Sequence, residues 1–257
     1  MWYLLSEYIK FLFKSTNQHG VHSPFVFQLV TKCFYDKKNT SRYEHFNNFR
    51  RHLFNNHNAI TVTDFGAGSK VFKSNRRTIS KIAKNAGIPL KRAQLLFRLV
   101  QYTKSHDILE LGTSIGMATS AMAYANPKAH ITTIEGCPET AKVANIQFKK
   151  FNLNNIHLEV GRFDDVLPKL KNQTYDIIYI DGNHQKEATL MYFNTLSKSV
   201  HNDSIVIIDD IHWSKEMTEA WQQIKELPKV TITIDTFFWG MVFFRKEQAK
   251  EHFIIRV

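Results

Sequence analysis

The chain has 257 residues, 43% of them hydrophobic, and a formal net charge of +11, enough to bury one large core or one core with an appendage. Its two cysteines, Cys33 and Cys137, have neither metal-ligand spacing nor a disulfide framework, which argues against a cysteine-rich secreted scaffold and fits a reducing cytoplasm. The apolar N-terminus is interrupted by Glu7, Lys10 and Lys14 and has no basic leader or cleavage site, so neither a signal peptide nor a transmembrane segment is expected.

Charge is unevenly distributed. Residues 1–106 hold 18 Lys and Arg against 4 Asp and Glu, whereas the remainder holds 16 against 19. The N-terminal part either faces an anion (an acidic substrate, nucleic acid or a membrane surface) or forms a solvated basic face. Residues 2–13 are apolar nearly all round a helix, which predicts packing on the body or on a second subunit of a homodimer. An interfacial membrane helix is the weaker alternative, because the polar face is narrow. Gly20 and Pro24 mark a turn before a second short helix, and His19 and His22 fall in that loop. Residues 36–58 read as a helix ending in a loop. The segment TVTDFGAGSK, with Asp64, Gly66 and Gly68, repeats a glycine-loop theme, but the basic run after it (Lys70, Lys73, Arg76, Arg77) forms no βαβ unit. It is expected to be a turn-rich loop lining a substrate entrance. Two helices broken at Gly87 and Pro89 follow, superficially a helix-turn-helix. Ala93, Leu95, Leu96, Phe97, Leu99 and Val100 make the second too apolar to read a groove.

The stretch Asp107 to Gly116, DILELGTSIG, then passes from an apolar strand through a glycine turn into the small-residue helix MATSAMAYA. Such a turn lets a ligand approach the backbone, and the helix beyond offers free N–H groups and a positive dipole end. The pattern is Glu110-x-Gly112-x-x-x-Gly116, not the three-glycine dinucleotide fingerprint. An acid at the strand end would repel a pyrophosphate and suits a ligand with an ammonium group. The next strand ends in Glu135, at a spacing suited to ribose hydroxyls. Ribose together with an amino acid points to S-adenosylmethionine. Here the sequence resembles the class I methyltransferases, whose first motif is E/D-x-G-x-x-x-G.

Alternation continues through a third strand ending near Gly161, a short helix opened by Phe163, Asp164 and Asp165, and two strands ending in IDGNH and IDDIH. The chain closes with two β-branched and aromatic runs joined near Trp239 and Gly240. The expectation is a Rossmann-like α/β fold: a seven-stranded doubly wound sheet, mostly parallel with one antiparallel strand. Residues 1–94 would form a basic helical extension and 95–257 the catalytic domain.

The resemblance implies that Glu110, Gly112, Thr113, Ser114, Gly116, Glu135, Gly136, Gly161, Phe163, Asp164 and Asp181 contact S-adenosylmethionine. Asp181, Asp209 and Asp210 stand at strand ends, where their hard oxygens suit Mg²⁺, Mn²⁺ or Ca²⁺. The IDGNH and IDDIH strings resemble bacterial metal-dependent O-methyltransferases with I-D-G-x-H, although catechol-type relatives carry Asn where this chain has Asp210. The resemblance puts His184 at the place of a general base, with His212 as second candidate and Asp181 beside them. A small-molecule hydroxyl is the expected acceptor. Nucleic acid is the less favoured partner, and a non-catalytic partner-binding protein is the third reading.

Overall fold

The computed structural model describes residues 2–36, 38, 40–66, 68, 74–170 and 173–257; Lys70 and Lys73 of the basic run lie outside them. Helix α1 (Trp2–Lys14) opens the chain. In α2 (Pro24–Leu29), Ser23 accepts from the Val26 N–H and Pro24 fills the first turn. Helix α3 (Glu44–Phe54) buries Phe46, Phe49 and Leu53, one stripe at helical spacing. Two short strands, β1 (Ala59–Thr61) and β2 (Arg76–Thr78), pair antiparallel. Helices α4 (Ile79–Asn85) and α5 (Leu90–Thr103) come next, the latter packing on its neighbours through Ala93, Leu95, Leu96, Phe97, Leu99 and Val100.

The alternating part follows: β3 (Asp107–Leu111), α6 (Met117–Ala125), β4 (His130–Glu135), α7 (Pro138–Lys150), β5 (Ile156–Val160) and the single turn α8 (Phe163–Val166). Then come β6 (Tyr175–Ile180), α9 (Lys186–Leu196), β7 (Val200–Asp209), α10 (Lys215–Glu226), β8 (Ile232–Asp235), β9 (Trp239–Phe243) and β10 (Glu251–Ile254). Among the described residues β3 to β10 are eight mostly parallel strands with flanking helices, a Rossmann-like α/β arrangement.

Two compact units divide the chain, Met1–Tyr35 with Asn172–Val257, and Asp36–Lys171. The basic first hundred residues are therefore split between them. In the Asp36–Lys171 unit, β3, β4 and β5 are parallel neighbours, with Glu110 opposite Thr133 and Glu135 opposite Val160. In the other unit the order is β10-β8-β9-β7-β6. Strand β9 runs antiparallel to both β7 and β8. Helix α1 seats Phe11 and Tyr8 on Phe237, with ring centroids 5.5 and 4.8 Å apart, and Thr16 N–H donates to the Ile254 carbonyl at 2.8 Å.

The described residues bear out a mostly parallel arrangement with one antiparallel strand, β9, and add one strand to the seven expected. The additional strand is β10, parallel to β8. Only Phe253 of its four residues is buried, so it lacks the apolar run that announces an interior parallel strand. Among the described residues no helix is long and apolar enough to cross a membrane.

Candidate active site

The loop after β3 and the end of β4 are bonded together. Glu135 accepts the Ser114 N–H at 2.6 Å through Oε2 and the Cys137 N–H at 2.8 Å through Oε1. Burial pushes its carboxyl upward, with the nearby Asp64 charge adding to the effect and the two amide bonds opposing it. Ser114 sits at φ 50° and Gly116 at φ 83°. At Gly116 a Cβ would stand 2.5 Å from the Phe148 ring, so only glycine closes the turn against α7. Helix α6 then starts with first-turn amides that have no acceptor inside the helix.

Glu110 points inward and is fully buried. Oε2 accepts from the hydroxyls of Thr119 and Thr133, while buried Oε1 has no hydrogen-bond partner among the described residues. Burial raises its pKa to about 7, and the charge of Glu135 adds to the rise. Thr113 is buried and its hydroxyl bonds that of Thr133. Farther along the same edge, the Gly161 N–H donates to the Glu135 carbonyl at 2.9 Å, which sets Phe163 and Asp164, at the start of α8, close to the end of β4. Asp164 pairs with Arg162 at 3.5 Å.

Sequence reasoning overlooked a neighbour of this edge. The segment after β1 docks on it: Thr63 N–H points at Cys137 Sγ at 3.3 Å, and the Phe65 ring covers Gly136. The aromatic residue beside the Asp64 turn was the available signal.

The second cluster of acids lies in the other unit. Tyr179, fully buried, puts its hydroxyl 3.2 Å from Asp181 Oδ2 and 3.1 Å from Asp209 Oδ2. Asp209 also accepts the Asp210 N–H at 2.9 Å. His184 Nε2 stands 3.6 Å from Asp181 Oδ1, and both side chains keep about a quarter of their surface exposed. Asn183 (φ 69°), His184 (φ 47°) and Asp210 (φ 55°) all lie in the left-handed region, strain of order 1–3 kcal/mol per residue that clusters at functional edges. His212 is different: it is buried, with Nε2 2.8 Å from Asp235 Oδ2 and Nδ1 3.2 Å from the Thr218 hydroxyl. Asp181, Asp209 and His184 thus come together, whereas His212 belongs to a separate pair with Asp235. Among the described residues no group of three or more His, Cys, Asp or Glu is arranged to hold a metal ion.

The strand order within each unit, the glycine turn after β3 and the acid ending β4 are those of the class I methyltransferase fold. Residues 109–211 match the family model described as a methyltransferase domain. The catechol O-methyltransferase of Niastella koreensis is 29% identical over 136 residues, covering 49% of this chain and 61% of that protein. That of Mycobacterium tuberculosis is 24% identical over 126 residues, covering 48% and 56%. The chain thus spans little more than half the length of these relatives. Among solved structures, the SAH-bound methyltransferase PaMTH1 of Podospora anserina superposes with a TM-score of 0.60 at 15% identity, over 88% of this chain and 97% of that one.

Proposed function

We propose that this protein transfers a methyl group from S-adenosylmethionine to a hydroxyl oxygen of a small molecule. The observation that carries the reading is the joining of the Glu110-x-Gly112-x-x-x-Gly116 loop to Glu135 through Ser114. These residues fit the donor. A carboxylate has about four acceptor directions, and two amides and the Thr140 hydroxyl engage Glu135, leaving capacity for a ribose hydroxyl. The α6 N-terminus suits the donor's carboxylate, and Glu110 Oε1, without a partner among the described residues, gives its ammonium an acid to approach. When bound, the donor supplies an electrophilic methyl carbon on a sulfonium.

On the acceptor side, His184 takes the hydroxyl proton, and Asp181 at 3.6 Å stabilises the imidazolium that forms. His212 is assigned no proton transfer, because both ring nitrogens are engaged. It positions the turn after β8, where Asp235 Oδ1 accepts the Phe237 N–H at 2.8 Å. Divalent-metal assistance rests on the oxygen chemistry of Asp181, Asp209 and Asp210 alone. Among the described residues they do not form a ligand set.

The test is a screen of hydroxyl-bearing acceptors, catechols included, with methyl-labelled S-adenosylmethionine, each with and without Mg²⁺, beside calorimetry of S-adenosylhomocysteine. Label in an O-methyl product supports the reading. Absence of nucleoside binding would leave a fold used for partner binding.

A further inference from the structure

Gly136 follows the acid that ends β4, and what covers it comes from a distant part of the chain. A Cβ built on Gly136 would stand 2.8 Å from Cδ2 and 3.3 Å from Cε2 of Phe65. The ring therefore occupies the space into which a side chain at 136 would extend. Two further features hold the segment there. Thr63 N–H points at Cys137 Sγ at 3.3 Å, and Asp64 accepts the Gly66 N–H at 3.1 Å in a local turn. Phe65 nevertheless keeps 51% of its surface exposed. An aromatic ring set over a glycine beside a partly buried acid, with half its surface still exposed, can take a flat ligand.

From this we propose that Phe65 replaces the side chain Gly136 lacks and forms the apolar wall against which the adenine base of the donor stacks. The inference rests on the reading that Glu135 holds the ribose, since the base must then lie within a few ångströms of residue 136. Its neighbours suit a purine. The Gly161 N–H bond to the Glu135 carbonyl brings the start of α8 alongside, and Asp164 there offers a carboxylate to an exocyclic amine. The glycine is part of the arrangement: any larger residue at 136 would collide with Phe65 as it stands.

The test is calorimetric titration of S-adenosylhomocysteine and of 5′-methylthioadenosine, which lacks the amino-acid end, into wild type, Phe65→Ala, Phe65→Trp and the double variant Phe65→Ala/Gly136→Ile. Loss of one stacked base predicts about tenfold weaker binding of both ligands by Phe65→Ala. Phe65→Trp should stay near wild type. The double variant should regain affinity, because an apolar side chain at 136 then fills the vacated space. The partial exposure of Phe65 keeps Phe65→Ala foldable, and its melting curve verifies this. Wild-type binding with unchanged or tighter binding by Phe65→Ala overturns the inference and leaves the methyltransferase reading intact; tighter binding would mean that the ring blocks the base's place. Wild type that binds neither ligand overturns both.

Discussion

The Ser114 N–H donates to Glu135 Oε2 at 2.6 Å, so the acid that ends β4 also holds the loop that follows β3. Glu135 then has two tasks, bracing and binding, and its variants should separate them. Glu135→Ala should weaken S-adenosylhomocysteine binding by about 1–3 kcal/mol, the scale of hydrogen bonds to a charged acceptor. Glu135→Gln keeps a carbonyl for one of the two amides and should lose less. Calorimetry showing wild-type affinity in a folded Glu135→Ala would remove this residue from the site.

Glu110 makes stability depend on pH in an uncommon direction for an acid. Its folded pKa is raised to about 7 from an ordinary 4.5, so the native state holds a proton that the unfolded chain has released. The contribution is fully present below about pH 4.5 and is lost as pH rises through about 7, a change on the order of 3 kcal/mol. Chemical denaturation at several pH values should show this slope in wild type and a flatter one in Glu110→Gln. Equal slopes would mean that Glu110 ionises normally.

Asp209 accepts from both the Tyr179 hydroxyl and the Asp210 amide. Asp209→Asn should therefore lower the melting temperature of the metal-free protein, with a cost of about 1–3 kcal/mol for a buried network left partly unpaired. Relief of like charge predicts the reverse. A more stable Asp209→Asn, together with a Mg²⁺-dependent rise in wild-type melting temperature, would establish these carboxylates as a cation site.

The two histidines should fail in different ways. His184→Ala should suppress methyl transfer and remove the acidic limb of the activity profile, where protonation disables the imidazole, with S-adenosylhomocysteine affinity preserved. His212→Ala should instead destabilise the protein by about 1–3 kcal/mol, because it strips Asp235 of a buried partner. Full activity in His184→Ala would transfer the proton-accepting role elsewhere.

Removal of residues 1–35 should uncover Phe237, which sits at φ 73° beneath Tyr8 and Phe11. Trp2 and Phe13, on the outer side of α1, are 85% and 87% exposed, a surface for self-association. Sedimentation should show the truncated chain aggregating, and the double variant Trp2→Ser/Phe13→Ser less associated than wild type. A truncated chain with unchanged melting and association would make α1 dispensable.

What the residues alone determined was local. An apolar run, a turn at Gly112 and Gly116 and a small-residue helix can only be a strand, a tight loop and a helix N-terminus. An acid at the end of the following strand needs no tertiary knowledge to be placed beside that loop, because parallel neighbours align their carboxyl ends. The tertiary structure decided everything that depends on contacts distant in sequence. Period-two alternation cannot orient a strand buried on both faces, so the direction of Glu110 emerged only from its bonds to Thr119 and Thr133. In IDGNH and IDDIH the two histidines were first and second candidates for one role, and Asp235, on another strand, gives His212 a partner of its own. Within residues 61–70, expected as an entrance loop, the contact of Phe65 was not legible, because its partner, Gly136, has no side chain to announce it, and close packing of an aromatic ring on a bare backbone leaves no periodic trace in sequence. Strand β10 escaped for the related reason that an edge strand takes its identity from the neighbour it pairs with, here β8.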